Sequence, residues 1–497
     1  MMEVVDVRRI LALAMCLMLI PAALAEVYVT EYWGAGEGRD YDLLITGDGM
    51  PLTPDGIYRY IFSLTPEGTP EAERVYGATL CDAGIEYDPQ TAEEALYSSD
   101  MGRMALMDAQ GRLLTDFMYE NLLYFGGYLV FTLPGDDRLT GAMDLSGNVI
   151  VEPEYAGLRP LRDGRWLAAK PVRASATEAF FASLKGEYMD QTGYALFLIG
   201  AGGDERSLDL HTGDCWFDVD GTGVCRVNDV WEYGDQSVFI DSNGEVLFGR
   251  SFLSAEPFSG DYAVVETETG YGIIDRSGQF VVPALYDYIQ SNPDTPFIAT
   301  DASRIAVYDP ENCVPRMDED LAPAQDVSAS PVSPELFLVR ADKKRWLYRA
   351  DGERLTALPD ESYIWNYNRC DRAVSRLVLE GGDWPNDVAR IIDLNGHAVS
   401  GDYPQINPVY WQDGHGRYIA CRYDTYLDSN GESTPDWNSY RYGLLDENGQ
   451  VLLPFVYDGL NALDFDRYWA VQGDKRGMID GAGKWYYAIS DYETLMD

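Results

Sequence analysis

A short pattern, Gly-x-x-Asp-x-x-Gly, recurs along this chain and constrains its fold more than any other feature. The complete copies span residues 141–147, 272–278, 443–449 and 477–483. Weaker copies keep the aspartate and the second glycine at Asp108 and Gly111, Asp241 and Gly244, and Asp393 and Gly396. An aromatic residue follows the second glycine at one fixed offset, at Tyr119, Tyr155, Phe252, Tyr286 and Tyr457, and Gly68 precedes Tyr76 by the same offset. Recurrence of one short unit predicts a repeat architecture.

Each part of the pattern predicts a β-hairpin. Two apolar residues end one strand, the aspartate side chain bonds turn amides, and the second glycine supplies a positive φ before an apolar run resumes. We therefore expect a positive φ at Gly278 and Gly449. Since one hairpin cannot bury its own apolar face, Tyr286 and Tyr457 are predicted to pack between neighbouring repeats.

These features predict an all-β protein built from hairpin or meander units. Copies in register stand about 35 residues apart, which is room for three or four short strands. The predicted architecture is one or more β-propeller-like toroids, and an open β-repeat array is the alternative. The predicted repeat regions are 26–313 and 335–497, either separate or continuous, because prolines interrupt the segment 314–334 and indicate a linker or a long loop.

The N-terminus has the pattern of a secretory signal peptide over residues 1–25. Arg8 and Arg9 precede an apolar run from Ile10 to Ile20, and a small-x-small cleavage pattern ends at Ala25. The run is shorter than the roughly 20 residues that a membrane-spanning helix needs. We expect a secreted or extracytoplasmic protein without stable membrane insertion.

Two segments carry a closer resemblance. One runs from Tyr271-Gly272 through Asp275, Gly278 and Pro283 to Tyr286, and the other runs from Tyr442-Gly443 to Tyr457. They resemble the bacterial WG-repeat family, whose units carry a Trp-Gly or Tyr-Gly pair, two apolar residues, Asp-x-x-Gly, and later a Pro and a Tyr. No copy here has Trp before its first glycine. The resemblance implies propeller-type units and a role in binding or scaffolding rather than catalysis.

Charge narrows the choice of partner. The chain has 37 Lys and Arg against 82 Asp and Glu, a formal net charge of −45. Such a field repels phosphate backbones and anionic lipid surfaces. Nucleic acid is therefore excluded as an expected partner, which leaves a protein or a cell-envelope polysaccharide.

The common catalytic motifs are absent from the sequence. His211, His397 and His415 are its only histidines and lack zinc-site spacing. We find no G-x-S-x-G elbow, Walker loop or dinucleotide fingerprint. No catalytic residue and no cofactor is predicted. A glycoside hydrolase stays open as an alternative, because such an enzyme needs only two suitably separated carboxylates.

One segment allows two interpretations. Asp218, Asp220 and Asp229 stand at ligand positions of a calcium-type loop, although the same residues also read as a plain hairpin turn. Cys215 and Cys225 flank this turn, where hairpin pairing would permit a disulfide. Elsewhere, two aromatic clusters outside the repeat positions, Trp365-Asn366-Tyr367 and Tyr410-Trp411, are candidate platforms for a sugar.

The function that this sequence favours is a secreted, non-enzymatic WG-repeat protein that presents an acidic surface to a protein or a cell-envelope ligand. An extracellular carbohydrate-binding protein or a glycoside hydrolase is the alternative.

Overall fold

The fold consists of β-strands and their connections. The structure is a computed structural model, and it describes residues 26–30, 42–54, 57–66, 68–70, 73–80, 103–135, 138–172, 193–291, 295–324, 327–333, 335–359, 362–365, 369–370, 374–381, 388–427, 433–436 and 439–490. The predicted signal peptide, residues 1–25, lies outside this described part. Within it there is no α-helix, and two 3-10 turns span Arg162–Gly164 and Trp231–Tyr233.

The strands follow one another with short connections. The first are β1 Val27–Thr30, β2 Leu43–Thr46, β3 Tyr58–Ser63, β4 Val75–Leu80, β5 Met104–Asp108, β6 Asn121–Phe125, β7 Tyr128–Thr132, β8 Thr140–Asp144, β9 Val149–Tyr155, β10 Gly157–Pro160, β11 Trp166–Val172, β12 Gly193–Ile199, β13 Glu205–Thr212 and β14 Asp218–Val219. The middle strands are β15 Cys225–Val230, β16 Gln236–Ile240, β17 Ser254–Ala255, β18 Tyr262–Thr267, β19 Gly270–Asp275, β20 Phe280–Tyr286, β21 Tyr288–Gln290, β22 Phe297–Asp301, β23 Arg304–Tyr308, β24 Pro315–Asp320, β25 Val327–Ser333, β26 Leu336–Ala341, β27 Lys344–Arg349 and β28 Arg354–Leu358. The last are β29 Tyr363–Trp365, β30 Arg369–Cys370, β31 Arg376–Gly381, β32 Val388–Asp393, β33 Gln405–Gln412, β34 His415–Arg422, β35 Thr425–Leu427, β36 Ser433–Pro435, β37 Arg441–Asp446, β38 Val451–Tyr457, β39 Gly459–Ala462, β40 Arg467–Gln472, β41 Lys475–Asp480 and β42 Trp485–Ser490.

Most sheets are antiparallel meanders of consecutive strands. In chain order they are sheet 1 (β1, β2), sheet 2 (β3–β5), sheet 3 (β6–β9), sheet 4 (β10–β16), sheet 5 (β17–β20), sheet 6 (β21–β24), sheet 7 (β25–β28), sheet 8 (β29, β31, β32), sheet 9 (β30, β33, β34, β37, β38) and sheet 10 (β39–β42). A separate hairpin, β35 and β36, lies between two strands of sheet 9 in the chain. The predicted all-β class and the predicted meander unit are confirmed.

The central strands of a sheet are apolar on both faces, because each face packs against a different neighbour. In β18, Ala263 and Val265 join a core cluster with Phe239 of sheet 4. Val264, which points the other way, joins a cluster with Phe297 of sheet 6. Alternate residues of a strand point to opposite faces, so a run such as Ala263-Val264-Val265 is the sequence of a strand buried between two layers.

Core clusters connect the sheets in a closed ring. Successive clusters join sheets 1 and 2, 2 and 3, 3 and 4, 4 and 5, 5 and 6, 6 and 7, and then 7 with 8 and 9, and 9 with 10. The circuit returns to its start, because Leu43 and Ile45 of β2 pack with Trp469 of β40 and Met478 of β41. The arrangement is a closed, propeller-like toroid, and the open-array alternative is wrong.

Residues 314–334, predicted as a linker or a long loop, contain β24 and β25. Both are edge strands, of sheet 6 and sheet 7 respectively. Pro315 is the first residue of β24, and Pro331 adjoins a register shift in β25. Edge positions, strand starts and bulges are where a sheet accepts proline. The proposed division into 26–313 and 335–497 stays a prediction.

Candidate interaction surface

The recurring aspartate closes its own turn in the same way in every copy. In the turn of sheet 5, Oδ1 of Asp275 accepts hydrogen bonds from the amides of Ser277 at 2.8 Å and Gln279 at 3.0 Å. The aspartates at 108, 144, 241, 393, 446 and 480 accept the equivalent pair. The second glycines have φ between 73° and 85°, including Gly278 and Gly449. The predicted hairpin turns are confirmed.

These bonds also set the protonation of the aspartate. The Ser277 hydroxyl and the turn amides donate to Asp275 and hold its pKa below the ordinary value of 3.8. Hydrogen bonds likewise lower the pKa of Asp144 and of Asp393. Asp144, Asp275 and Asp393 are therefore structural carboxylates whose charged form is stabilised by the turn that they close.

The first glycine of the pattern lies where two backbones come close. A Cβ placed on Gly272 would stand 2.8 Å from the Val282 carbonyl oxygen and 2.8 Å from the Ala284 nitrogen. Gly443 faces the Leu453 carbonyl oxygen at 2.9 Å in the same way. Opposite Gly272, the strand β20 bulges, because Ile273 pairs with Val282 while Tyr271 pairs with Tyr286. Only a residue without a side chain fits beneath this bulge.

The aromatic residue at the fixed offset is a core residue. Tyr76, Tyr119, Tyr155, Phe252, Tyr286 and Tyr457 are all buried. Tyr286 joins the cluster between sheets 5 and 6, where its hydroxyl lies 2.7 Å from that of Tyr308. Tyr457 joins the cluster between sheets 9 and 10. The predicted packing between repeats is confirmed.

The calcium candidates include an eighth copy of the turn. Oδ1 of Asp220 accepts from the amides of Thr222 and Val224, and Gly223 has a φ of 87°. Its other oxygen pairs with Arg276 of the neighbouring sheet, and Asp218 pairs with Arg226.

Asp229 lies apart from Asp218 and Asp220. It is three residues along β15 from Arg226, the register partner of Asp218, which is about 10 Å of strand. No group of three or more His, Cys, Asp and Glu side chains within the described ranges is placed to hold a metal ion. Calcium binding at Asp218, Asp220 and Asp229 stays a prediction.

Four cysteine side chains lie in the part of the chain that the structure describes, and all four are free thiols. Cys215 and Cys225 are both free thiols, because Cys225 pairs across the hairpin with Val219 rather than with Cys215. Burial raises the pKa of the Cys313 thiol and of the Cys421 thiol to about 12. A thiol with so high a pKa supplies almost no thiolate nucleophile at neutral pH.

Each histidine has a carboxylate neighbour. Nδ1 of His211 lies 2.7 Å from Glu232, while His397 and His415 lie 3.3 Å from Asp393 and Glu447. Asp393 is itself a turn aspartate of the repeat. These histidines are partly exposed and lie within hydrogen-bonding or ion-pairing distance of local acids.

Arginines tie the turns of neighbouring sheets together. Arg276 donates to the Gly260 carbonyl of its own sheet and to Asp220 of sheet 4. Arg376 of sheet 8 donates to the Glu447 carbonyl of sheet 9 at 3.2 Å. Arg165 and Arg206 line an open cavity of about 340 Å³, and they too are used inside the fold, because both guanidiniums donate to the Ser242–Asn243 turn. These cations are engaged within the fold.

Pairs of apolar side chains stay exposed at one recurring position. They begin two residues after the turn glycine, on the last strand of the unit in three cases and in the segment after β5 in the fourth, and each residue is 37% to 49% exposed. The pairs are Leu113 and Leu114, Val149 and Ile150, Phe280 and Val281, and Val451 and Leu452. We call these eight residues the last-strand pairs. Sequence reasoning missed them, because a strand of a packed sheet is expected to bury such residues.

Proline protects the strands that carry these pairs. β9, β20 and β38 are edge strands with Pro153, Pro283 and Pro454 in them. Proline lacks the amide that an added strand would bond, so these edges are poorly suited to pairing with another chain through the backbone. A ligand would therefore contact the last-strand pairs through their side chains rather than through the backbone.

The two aromatic clusters predicted from the sequence differ in their exposure to solvent. Trp411 is buried, and the Tyr410 hydroxyl donates to the Leu463 carbonyl at 3.1 Å, so this pair is not an exposed platform and that prediction is wrong. Trp365 is 45% exposed, and its strand neighbour Tyr363 is 67% exposed. Asn366 and Tyr367 lie outside the described residues.

Comparison with known proteins agrees with the repeat. The family described as "WG containing repeat" matches residues 141–169, 271–293 and 442–475. These segments contain the bulge glycines Gly141, Gly272 and Gly443. No curated protein matches the sequence.

Solved structures similar to this chain are distant in sequence. A eukaryotic initiation factor is 11% identical, with 78% of this chain and 93% of that chain covered at a TM-score of 0.36. BamB from Moraxella catarrhalis is 13% identical, with 65% and 94% covered at a TM-score of 0.26. The C-terminal WD40 domain of Sif2 is 12% identical, with 59% and 79% covered at a TM-score of 0.23.

Within the described residues no helix is long and apolar enough to cross a membrane. The matched segments share four structural features. They are the repeated turn, the glycine under the bulge, the edge proline and the buried tyrosine. Three segments of this chain therefore match the WG-containing repeat in sequence and share its structural features.

Proposed function

We propose that the protein is a secreted, non-enzymatic binding or scaffold protein that presents an acidic surface to another protein or to a cell-envelope ligand. The observation that carries this proposal is the set of last-strand pairs. The same exposed apolar position recurs in all three segments that match the family, on a ring whose interior is otherwise densely packed. Recurrent exposed apolar side chains on a closed scaffold favour a binding surface over a single reactive cleft.

The state of the polar groups supports a non-enzymatic role. The repeat aspartates bond their own turns, the histidines have carboxylate neighbours, and burial keeps Cys313 and Cys421 protonated. Arginines that bridge turns leave the formal charge of −45 dominated by acids, which favours a cationic or neutral partner.

Site-specific cross-linking tests the surface. A photoreactive side chain is placed at Ile150, Val281 or Leu452 in the full chain expressed in its own host, and Met50, which is 51% exposed on another part of the ring, serves as the control position. A common adduct from the three last-strand positions and none from position 50 is the expected result. No adduct at any last-strand position would refute binding through this surface.

Two further measurements test the proposed secretion and the proposed non-enzymatic role. Mass spectrometry of the exported protein should find Glu26 as its first residue, and an intact N-terminus inside the cell would contradict secretion. Incubation of the purified protein with a panel of glycans should release no product. Turnover of any glycan would replace the binding role with the glycoside hydrolase alternative.

A further inference from the structure

Tyr363 and Trp365 form an exposed aromatic pair on an open edge of the ring. They are 67% and 45% exposed, and they flank Ile364, which packs against the core cluster of sheets 7 to 9. Residues two apart on a strand point the same way and stand about 7 Å apart. Among the described strands, β29 pairs with β31 alone and is the edge strand of sheet 8.

Each ring has a charged neighbour. The Trp365 indole nitrogen donates to the Glu380 carboxylate, and Glu380 is the register partner of Tyr363 across the sheet. Arg345 of sheet 7 lies over the Tyr363 ring, 5.6 Å from its centroid, and donates to the carbonyl of Ser362. A ligand would therefore meet the exposed parts of two rings, with the Glu380 carboxylate beside Trp365 and the Arg345 guanidinium over one face of Tyr363.

We infer that Tyr363 and Trp365 are a stacking platform for an uncharged glycan chain. The aromatic face carries negative quadrupole density that attracts the C–H face of a sugar ring, while hydroxyl groups can bond the Glu380 carboxylate and the Arg345 guanidinium. This inference deepens the proposed binding role by naming the ligand class of one site, and it does not involve the last-strand pairs.

Size and charge favour a glycan over the other ligand classes. A stable protein interface buries about 800 Å² on each partner. Two aromatic side chains of about 150–250 Å² each, exposed to 67% and 45%, offer roughly a quarter of that area, which suits a short oligosaccharide. A formal charge of −45 disfavours anionic polysaccharides and nucleic acids. An uncharged polyhydroxylated chain meets neither objection.

Native affinity electrophoresis provides the test, because the acidic chain migrates freely in the gel. The full chain is run in gels that contain hydroxyethyl cellulose, β-1,3-glucan, xylan, galactomannan or soluble starch, with polygalacturonate as an anionic comparison. We expect retardation by at least one of the neutral glycans, with little change between 50 and 500 mM NaCl because the ligand carries no charge.

Matched variants locate the site. Trp365→Ala and Tyr363→Ala should each weaken the retardation about tenfold, which corresponds to the loss of one stacked ring. Tyr288→Ala removes a tyrosine that is 54% exposed on β21 and should leave retardation unchanged. Trp365→Phe should keep part of the binding, because it keeps a ring.

Three outcomes would overturn the inference. They are no retardation by any neutral glycan, retardation that both alanine variants leave intact, and retardation by polygalacturonate alone. Thermal melts of the variants establish that they fold, which is expected because both rings are largely exposed. The cross-linking result at the last-strand pairs is independent of all three, so the two proposals can fail separately.

Discussion

Gly272→Ala tests the bulge that distinguishes this repeat from a plain β-meander. An alanine Cβ at position 272 would lie 2.8 Å from the Val282 oxygen, 2.8 Å from the Ala284 nitrogen and 2.9 Å from the Ala284 Cα. All three are backbone atoms, so no side-chain rotation relieves the contact. Strands β19 and β20 have to separate by several tenths of an ångström at their register shift.

The expected size of the effect follows from two opposing terms. Overpacking of this kind costs about 1–3 kcal/mol. Replacing glycine with alanine also removes unfolded-state entropy, which stabilises a protein by about 0.4–1 kcal/mol where the site is free. The free energy of unfolding should therefore fall by about 1–2 kcal/mol.

Gly401→Ala is the matched control, because nothing lies within 4 Å of a Cβ at that position. It should leave stability unchanged or raise it slightly. Urea unfolding followed by tryptophan fluorescence gives the midpoints, and hydrogen exchange of peptides from β19 and β20 shows whether the loss is local. A Gly272→Ala protein as stable as Gly401→Ala, with unchanged exchange in β19 and β20, would refute the bulge argument.

Four more predictions concern other parts of the ring. Tyr286→Ala should cost about 3–5 kcal/mol, as expected for a buried aromatic, whereas Tyr286→Phe should cost much less, and equal urea midpoints for these two variants would contradict its packing role. The depressed pKa of Asp275 contributes stability that is present at neutral pH and is lost as pH falls below about 4. In Asp275→Asn the melting temperature should therefore fall less between neutral and acid pH than in the parent protein. An unchanged fall would contradict this prediction. Arg467→Ala should loosen the contact of β40 with Glu26 at the ring closure and accelerate hydrogen exchange in β1 and β2, whereas exchange there that stays at the parent rate would contradict the closure. Melting temperatures in calcium, magnesium and sodium at matched ionic strength should rise equally through screening, and a calcium-specific rise abolished by Asp220→Ala would establish the calcium site.

Sequence alone predicts those parts of the fold in which a given residue type has a single structural role. A turn aspartate and a positive-φ glycine at fixed spacing define a hairpin wherever they occur, and a tyrosine at a fixed offset has to be buried somewhere. The first glycine has no such local signature. Its role depends on the backbone of Val282 and Ala284 in the next strand, and sequence spacing alone does not show that approach.

Two segments allow more than one interpretation from sequence, for a common physical reason. Asp220 was a calcium candidate because oxygen ligands and turn aspartates use the same residue types, and only the bonds from Thr222 and Val224 reveal the turn. Residues 314–334 looked like a linker because proline usually interrupts a strand. Proline is tolerated at edges and bulges, so the composition of an edge strand resembles that of a loop.

The exposed surfaces were the least predictable, since exposure is a property of neighbours rather than of a residue. Val281 and Val264 are both valines on strands of sheet 5, yet Val264 is buried and Val281 is 42% exposed. The difference is that β18 lies inside the sheet and β20 at its edge. Val282 is buried on the same edge strand, so the place of the strand in the sheet and the direction of the side chain together decide which apolar side chains are exposed.

Ring closure shows why a motif search undercounts the repeats. The turn after β2 has no aspartate at the recurring position, but Thr46 takes its place: its hydroxyl accepts from the Met50 amide at 3.0 Å, and Gly49 has a φ of 83°. A hydroxyl oxygen can accept the same amide as a carboxylate, so the turn persists while the motif disappears. This unmarked unit supplies Leu43 and Ile45 to the cluster that joins the first sheet to the last. A unit that lacks the recurring aspartate therefore closes the array into a ring.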